Sequence, residues 1–186
     1  SDRKEVNPML RSLHTKLVMI MVLLILSLMT VVGAFLVNSV TAFYLEEFYS
    51  QMADVFGDQS LYTDLTTQTE AEIAGEADGA QMLESILNVY AGELGVDGRN
   101  RKLYILDSNG VCLIHPEGET GQLEYTNNLS HALLTGEVGD ESSLSLDYMD
   151  VAVPIQRGDD HYVIYIYDNK ATANDLTDQM FLLIME

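Results

Sequence analysis

Five side chains carry groups suited to holding a small molecule and fall where an open sheet face is expected: Tyr104, His115, His131, Tyr148 and Tyr165. Phenol and imidazole groups both donate and accept hydrogen bonds, so the chemistry they suggest is ligand contact. A structural or solvent-facing role competes for each of them. Acidic clusters offer a second chemistry: Glu117, Glu119 and Glu124, or Asp140 and Glu141, could bring carboxylate oxygens to Ca²⁺ or Mg²⁺. No EF-hand spacing is present, and a solvated surface accounts for the same residues. His115, His131 and His161 lack the close spacing of a zinc site. No Ser, His and Asp set is marked by a nucleophile elbow. The sequence therefore assigns no catalytic residue, no metal ligand set and no cofactor.

Positioning such groups requires a sheet, and its strands are legible from the change of hydrophobic period. Leu103-Tyr104-Ile105-Leu106 and Val111-Cys112-Leu113-Ile114 flank Asp107-Ser108-Asn109-Gly110, an Asn-Gly hairpin signal. A Gly/Glu/Pro loop runs from His115 to Gly121, and a short helix is expected around Asn127 to Leu134, ended by Gly136. Leu144 to Ile155 and Tyr162 to Tyr167 supply two or three further strands, with a turn at Arg157-Gly158-Asp159-Asp160. Arg157, beside two aspartates in that turn, reads as a solvated charge. The last strand is apolar on both faces, which suits a central position. Its partners are then long N-terminal helices on one face, and on the other the loop and short helix of residues 115–136. Ahead of the sheet, Leu83, Ile86, Leu87, Tyr90 and Leu94 mark one amphipathic helix from Ala80 to Leu94, closed by Gly95.

The chain of 186 residues has 29 Asp and Glu against 9 Lys and Arg, a formal charge of −20. A nucleic-acid partner is excluded on that balance, because phosphates demand clustered cations. The single cysteine, Cys112, cannot form an internal disulfide and reads as a small buried hydrophobe. A hydrophobic fraction of 47% is high for so acidic a chain, and the apolar residues are concentrated. No charge occurs from Leu17 to Leu45, and Leu17 to Val37 is almost wholly apolar. Twenty-one residues at about 1.5 Å each span about 32 Å, the thickness of a bilayer core. A cleaved signal peptide and a buried core helix are the competing assignments. Arg3, Lys4, Arg11 and Lys16 precede the span, whereas residues 45–186 hold five cations against 27 acids. By the positive-inside rule the acidic body lies outside.

Four segments follow: a cytoplasmic piece (1–16), a transmembrane helix (17–38), an extracytoplasmic domain (39–179), and the start of a truncated second transmembrane helix (180–186). Thr41, Leu45, Phe48, Met52 and Val55 recur with 4-3-4-3 spacing. Such a seam serves equally to pair two protomers or to pack the helix on its own domain.

Three stretches, FYLEEFYSQM (43–52), YILDSNGVCLIHPEGE (104–119) and YMDVAVPI with YVIYIYDN (148–155, 162–169), resemble the extracytoplasmic Cache (PAS-like) sensors of bacterial sensor histidine kinases. The fold this implies is α+β, a single Cache-type sensor. Its N-terminal transmembrane helix continues into long helices packed on a PAS-like antiparallel sheet of about five strands. The function implied is signal input for a two-component sensor histidine kinase of the bacterial cell membrane. Such a receptor is a homodimer, embedded in the lipid bilayer, whose kinase module, absent from this chain, acts on a cognate response regulator. The same outer module also serves chemoreceptors and cyclic-dinucleotide enzymes. An anchored surface binding protein without cytoplasmic output is the alternative of a different class. Some relatives hold small carboxylates or amino acids through Arg, Tyr or His. This chain departs from them in having only Arg99, Arg101, Lys102, Arg157 and Lys170 beyond the span, and Arg101 and Lys102 could reach the rim of a pocket.

Overall fold

Helix α1 (Pro8–Phe56) runs unbroken through 49 residues, about 73 Å at the helical rise. It is long and apolar enough to cross a membrane. Leu17, Ile20, Leu23, Leu24 and Val31 are among many side chains of this stretch that stand exposed, without protein cover. Hydrocarbon accommodates such a surface, whereas water does not. Its hydroxyls are already satisfied by the helix itself. Ser27 Oγ donates to the Leu24 carbonyl at 2.9 Å and Thr30 Oγ1 to that of Leu26 at 2.8 Å, so neither needs water.

The computed structural model describes residues 8–96, 98–119, 122–141 and 143–185. After the apolar stretch α1 becomes a wall of the domain. Leu45, Phe48 and Met52 are 6%, 1% and 2% exposed and join one core cluster with Leu83, Leu87, Val151 and Ile164. The 4-3-4-3 seam is therefore spent on the helix's own domain, and side chains buried there are not free to pair with a second copy. The outward face carries Phe43, Glu46, Glu47, Ser50 and Asp54 instead.

Four short helices complete that layer: α2 (Gln59–Thr66), α3 (Glu70–Ile73), α4 (Gly79–Val89) and α5 (Ala91–Leu94). Side chains of Asp58, Thr69 and Asp78 cap the first three by accepting backbone N–H bonds. The helix expected over 80–94 is two pieces, because Tyr90 leaves helical geometry (φ −98°, ψ 12°). Gly95 closes the second piece at φ 71°, in the left-handed conformation that glycine adopts without penalty.

Strands β1 (Arg101–Asp107), β2 (Cys112–Ile114), β3 (Met149–Arg157) and β4 (Asp160–Asp168) form one antiparallel sheet in the order β2-β1-β4-β3. The Asn-Gly turn joins β1 to β2: Asp107 Oδ1 accepts from the Asn109 and Val111 amides, both at 2.9 Å, and Gly110 takes φ 81°. About five strands were expected, and four form among the described residues. Residues 144–148 do not pair, since Lys170 Nζ, entering from the end of β4, takes the Ser143 and Leu146 carbonyls at 3.3 and 2.5 Å. What remains on the outer side of β3 is a single bridge, Gly139 to Ala152. A side chain at Gly139 would collide with the Asn128 carbonyl.

The period of two sorts the strands onto two faces. Ile105, Val151, Val153, Ile155, Ile164 and Ile166 pack under the helices. Tyr104, Leu106, Ala152, Val163 and Tyr165 face the other way, against Leu129 and Ala132 of α6 (Asn127–Thr135). The same parity corrects the reading of Arg157. Standing in phase with Val153 and Ile155, it points into the helix layer and is 1% exposed. Its Nε and Nη2 donate to the two carboxylate oxygens of Glu72, each at 2.6 Å, and Nη1 donates to the Asp64 and Leu65 carbonyls. Arg157 is a buried bidentate ion pair, not a solvated turn charge.

Helix α7 (Ala171–Met185) leaves β4 and packs antiparallel on α1. Gly33 permits the close approach: a Cβ there would lie 3.1 Å from a ring carbon of Phe181. Phe181 thus sits beside a residue in the last part of the apolar stretch, four positions before Val37.

Candidate ligand-binding cleft

Between the sheet face of β1 and β4 and the segment after β2 lies a cleft of about 430 Å³, a size suited to a small organic molecule. Strand parity supplies its floor. Tyr104 on β1 lies opposite Tyr165 on β4, and Tyr167 follows two residues on. The Tyr104 and Tyr165 rings are tilted by 40° with centroids 6.0 Å apart. Tyr148, just before β3, stacks on Tyr167 at 5.4 Å and 24°. Glu119, Gln122, Leu123, Glu124 and Thr126 form the opposing wall.

Beneath the rings is a buried carboxylate. Asp150 is 3% exposed, and its Oδ2 accepts from Tyr165 Oη at 2.8 Å and Thr126 Oγ1 at 2.5 Å. Its Oδ1 accepts from Asn128 Nδ2 at 2.8 Å. Thr126 also caps α6 through the Leu129 amide, so the cleft wall and the carboxylate are fixed together. Burial, and then the negative charge of Asp150, push the Tyr165 phenol well above its ordinary value. It stays a neutral donor.

The network continues into α1. Tyr49 Oη donates to the Asp150 carbonyl at 2.8 Å, with the Glu141 carbonyl at 3.2 Å. A second tie lies at the far end of β1. Arg101 Nε donates to Asp168 at 3.0 Å, while Nη1 donates to Gln51 Oε1 at 2.7 Å and the Leu94 carbonyl at 2.8 Å. The guanidinium also lies 4.9 Å above the Phe48 ring. Asp168 in turn accepts the Lys170 amide at 2.8 Å, one residue before α7. Helix α1, the sheet and the start of α7 are thus joined by directional bonds at two points, one through Asp150 and one through Arg101.

At the rim, Lys102 Nζ bonds Glu119, and Tyr104 Oη donates to the other carboxylate oxygen at 2.5 Å. Those bonds, Lys102's foremost, hold the Glu119 carboxyl below its usual range. Burial, and then the bond to Glu119, raise the Tyr104 phenol.

Of the five candidates, the structure brings Tyr104, Tyr148 and Tyr165 together as cleft lining. His115 is exposed on the loop, edge-on to Tyr104 with centroids 6.5 Å apart. His131 lies on α6 outside the lining, half exposed and 3.9 Å from Glu137. Lys102 reaches the rim, whereas Arg101, one residue earlier, points to the opposite face. Among the described residues no three His, Cys, Asp or Glu side chains are grouped to hold a metal ion, and Glu119 is engaged by Lys102 and Tyr104. Sequence reasoning missed Asp150 and Thr126. The signal for Asp150 was an acid set within the apolar run Met149 to Ile155.

Neither protein-family models, nor curated proteins, nor solved structures give a match to this chain.

Proposed function

We propose that this chain is the signal-input region of a membrane receptor, with a PAS-like outer domain whose cleft reports on a small molecule. The observation that carries this reading is the hydrogen-bonded path from the cleft floor to a helix long enough to cross the membrane: Tyr165 to Asp150 side chain, Asp150 carbonyl to Tyr49 on α1. Floor and helix share a residue, so a ligand that moves Tyr165 acts on α1 through Asp150. The Arg101 and Asp168 clamp extends the link to α7. Differential contacts of this sort supply about 1–3 kcal/mol of coupling, enough to shift a balanced equilibrium by one to two orders of magnitude.

A two-component sensor histidine kinase fits best, with a homodimer in the bacterial cell membrane and the outer domain extracytoplasmic. The alternative output modules are those of a chemoreceptor or a cyclic-dinucleotide enzyme. Packing of Phe181 against Gly33 supports a receptor over a surface protein anchored by α1 alone, because it carries α7 to the depth of the apolar stretch. Kinase chemistry would belong to a module beyond α7.

This reading requires the cleft to face outward. Protease added to intact cells is expected to remove residues 45–179, leaving the apolar part of α1 with the membrane. Protection of that region until the cells are permeabilised would overturn the orientation and, with it, the receptor.

A further inference from the structure

The cleft's lining combines rings and negative charge. Glu119 and Glu124 line it, and Asp150 lies directly beneath Tyr165. No Lys, Arg or His is among the described lining residues. At the rim, Lys102 is paired with Glu119. Four tyrosine rings in two pairs frame the space, Tyr104 with Tyr165 and Tyr148 with Tyr167. A carboxylate ligand would meet acids and rings, with no cationic side chain among the described lining residues to take its charge. A cation would meet the partly exposed, electron-rich rings of Tyr148 and Tyr167 and the carboxylate of Glu124. We infer that the cleft binds a small organic cation, an alkylammonium or quaternary ammonium compound, through its tyrosine rings and Glu124. This rests on the reading of the cleft as the receptor site and names the class of ligand that site takes.

Charge and shape are separated by probes of one shape. Choline, its neutral isostere 3,3-dimethylbutan-1-ol and the anionic 3,3-dimethylbutyrate are titrated calorimetrically into the full chain in detergent micelles, with 2-phenylethylamine as a second cation. At least one of the two cations is expected to bind, about tenfold or more tighter than the neutral and anionic probes. Tyr148→Leu or Tyr167→Leu is expected to weaken that binding about fivefold or more, with Tyr148→Phe retaining most of it because the ring remains. Glu124→Gln, at an exposed position, is expected to weaken it about threefold and to raise affinity for the anion. Binding of 3,3-dimethylbutyrate without either cation would overturn the inference while leaving the cleft a receptor site. Failure of all four probes at millimolar concentration, in a chain that unfolds cooperatively, would overturn both. Equal binding of choline and its neutral isostere would reduce the cleft to an apolar pocket and also contradict the proposal.

Discussion

Arg157→Ala is expected to destabilise the domain by about 3–5 kcal/mol, the cost of leaving one member of a buried ion pair uncompensated. Both partners are sealed, with side-chain exposures of 1% for Arg157 and 3% for Glu72. Glu72 has a second task, since its carboxylate also accepts the Thr69 amide at 2.8 Å and completes the capping box of α3. Losing the guanidinium therefore disturbs α2 and α3 together, because the Asp64 and Leu65 carbonyls lose their donor as well. Arg157→Lys should recover only part of the loss, an ammonium being unable to make the bidentate bond. The pair also sets a pH dependence. Hydrogen bonds from Arg157 lower the Glu72 carboxyl from 4.5 to about 2. A depressed carboxyl stabilises the fold above its unfolded pKa, and that contribution is lost as the pH falls from about 4.5 towards 2. Glu72→Gln should remove that part of the acid transition. Denaturant unfolding of the full chain in micelles across this range measures both effects. A loss below about 1 kcal/mol for Arg157→Ala would mean that the pair is solvated.

Asp150→Ala is expected to destabilise the domain by about 3 kcal/mol. It takes the carboxylate acceptor from two buried hydroxyls, Thr126 Oγ1 and Tyr165 Oη, which keep only their mutual 3.3 Å contact, whereas Asn128 Nδ2 retains the Glu141 and Asp150 carbonyls. Each hydroxyl left unpaired costs about 1–3 kcal/mol, less any relief by water entering the cleft. Tyr165→Phe should cost only about 1 kcal/mol, since the ring still fills its place and Asp150 keeps two donors. Tyr165→Ala is a poorer probe of function, because truncating a ring with 0% exposure opens a cavity worth about 3–5 kcal/mol. If Asp150→Ala unfolded at the same denaturant concentration as the unchanged chain, the network beneath the cleft would not be a structural unit.

These two residues also mark where reading the sequence succeeded and where it stopped. The apolar stretch, the Asn-Gly turn, the α6 boundaries and the two covered faces of β4 followed from period and turn chemistry, which are local properties of the chain. Arg157 was misjudged because its neighbours Gly158, Asp159 and Asp160 suggested an exposed turn. The alternation through Val151, Val153 and Ile155 pointed inward, and that longer-range pattern decided the matter. Its partner Glu72 lies 85 residues away, a pairing that no local pattern encodes. Leu144 to Leu146 looked like strand, yet their backbone is used by Lys170, again a partner distant in sequence. The seam on α1 was legible as an apolar stripe, but a stripe does not say which surface covers it. Three tyrosines of the cleft were found because strands place alternate residues on one face. His115 and His131 sit on a loop and a short helix, where periodicity says little about direction.

The central claim is that occupancy of the cleft reaches the helix pair at the membrane, and it is tested most directly by a distance. Spin labels on keto amino acids replacing Asn38 of α1 and Asp178 of α7, both exposed, report the separation of the helices in lipid nanodiscs. In a Cys112→Ser background, Gln122→Cys places a thiol on the cleft wall, where a methanethiosulfonate carrying a trimethylammonium group fills the cleft regardless of the natural ligand's identity. Filling the cleft is expected to shift the mean distance, or the weights of two populations, and Tyr49→Phe, which removes the bond from α1 to Asp150, is expected to reduce that shift. Superimposable distance distributions before and after complete modification, with the domain still folded, would contradict the account.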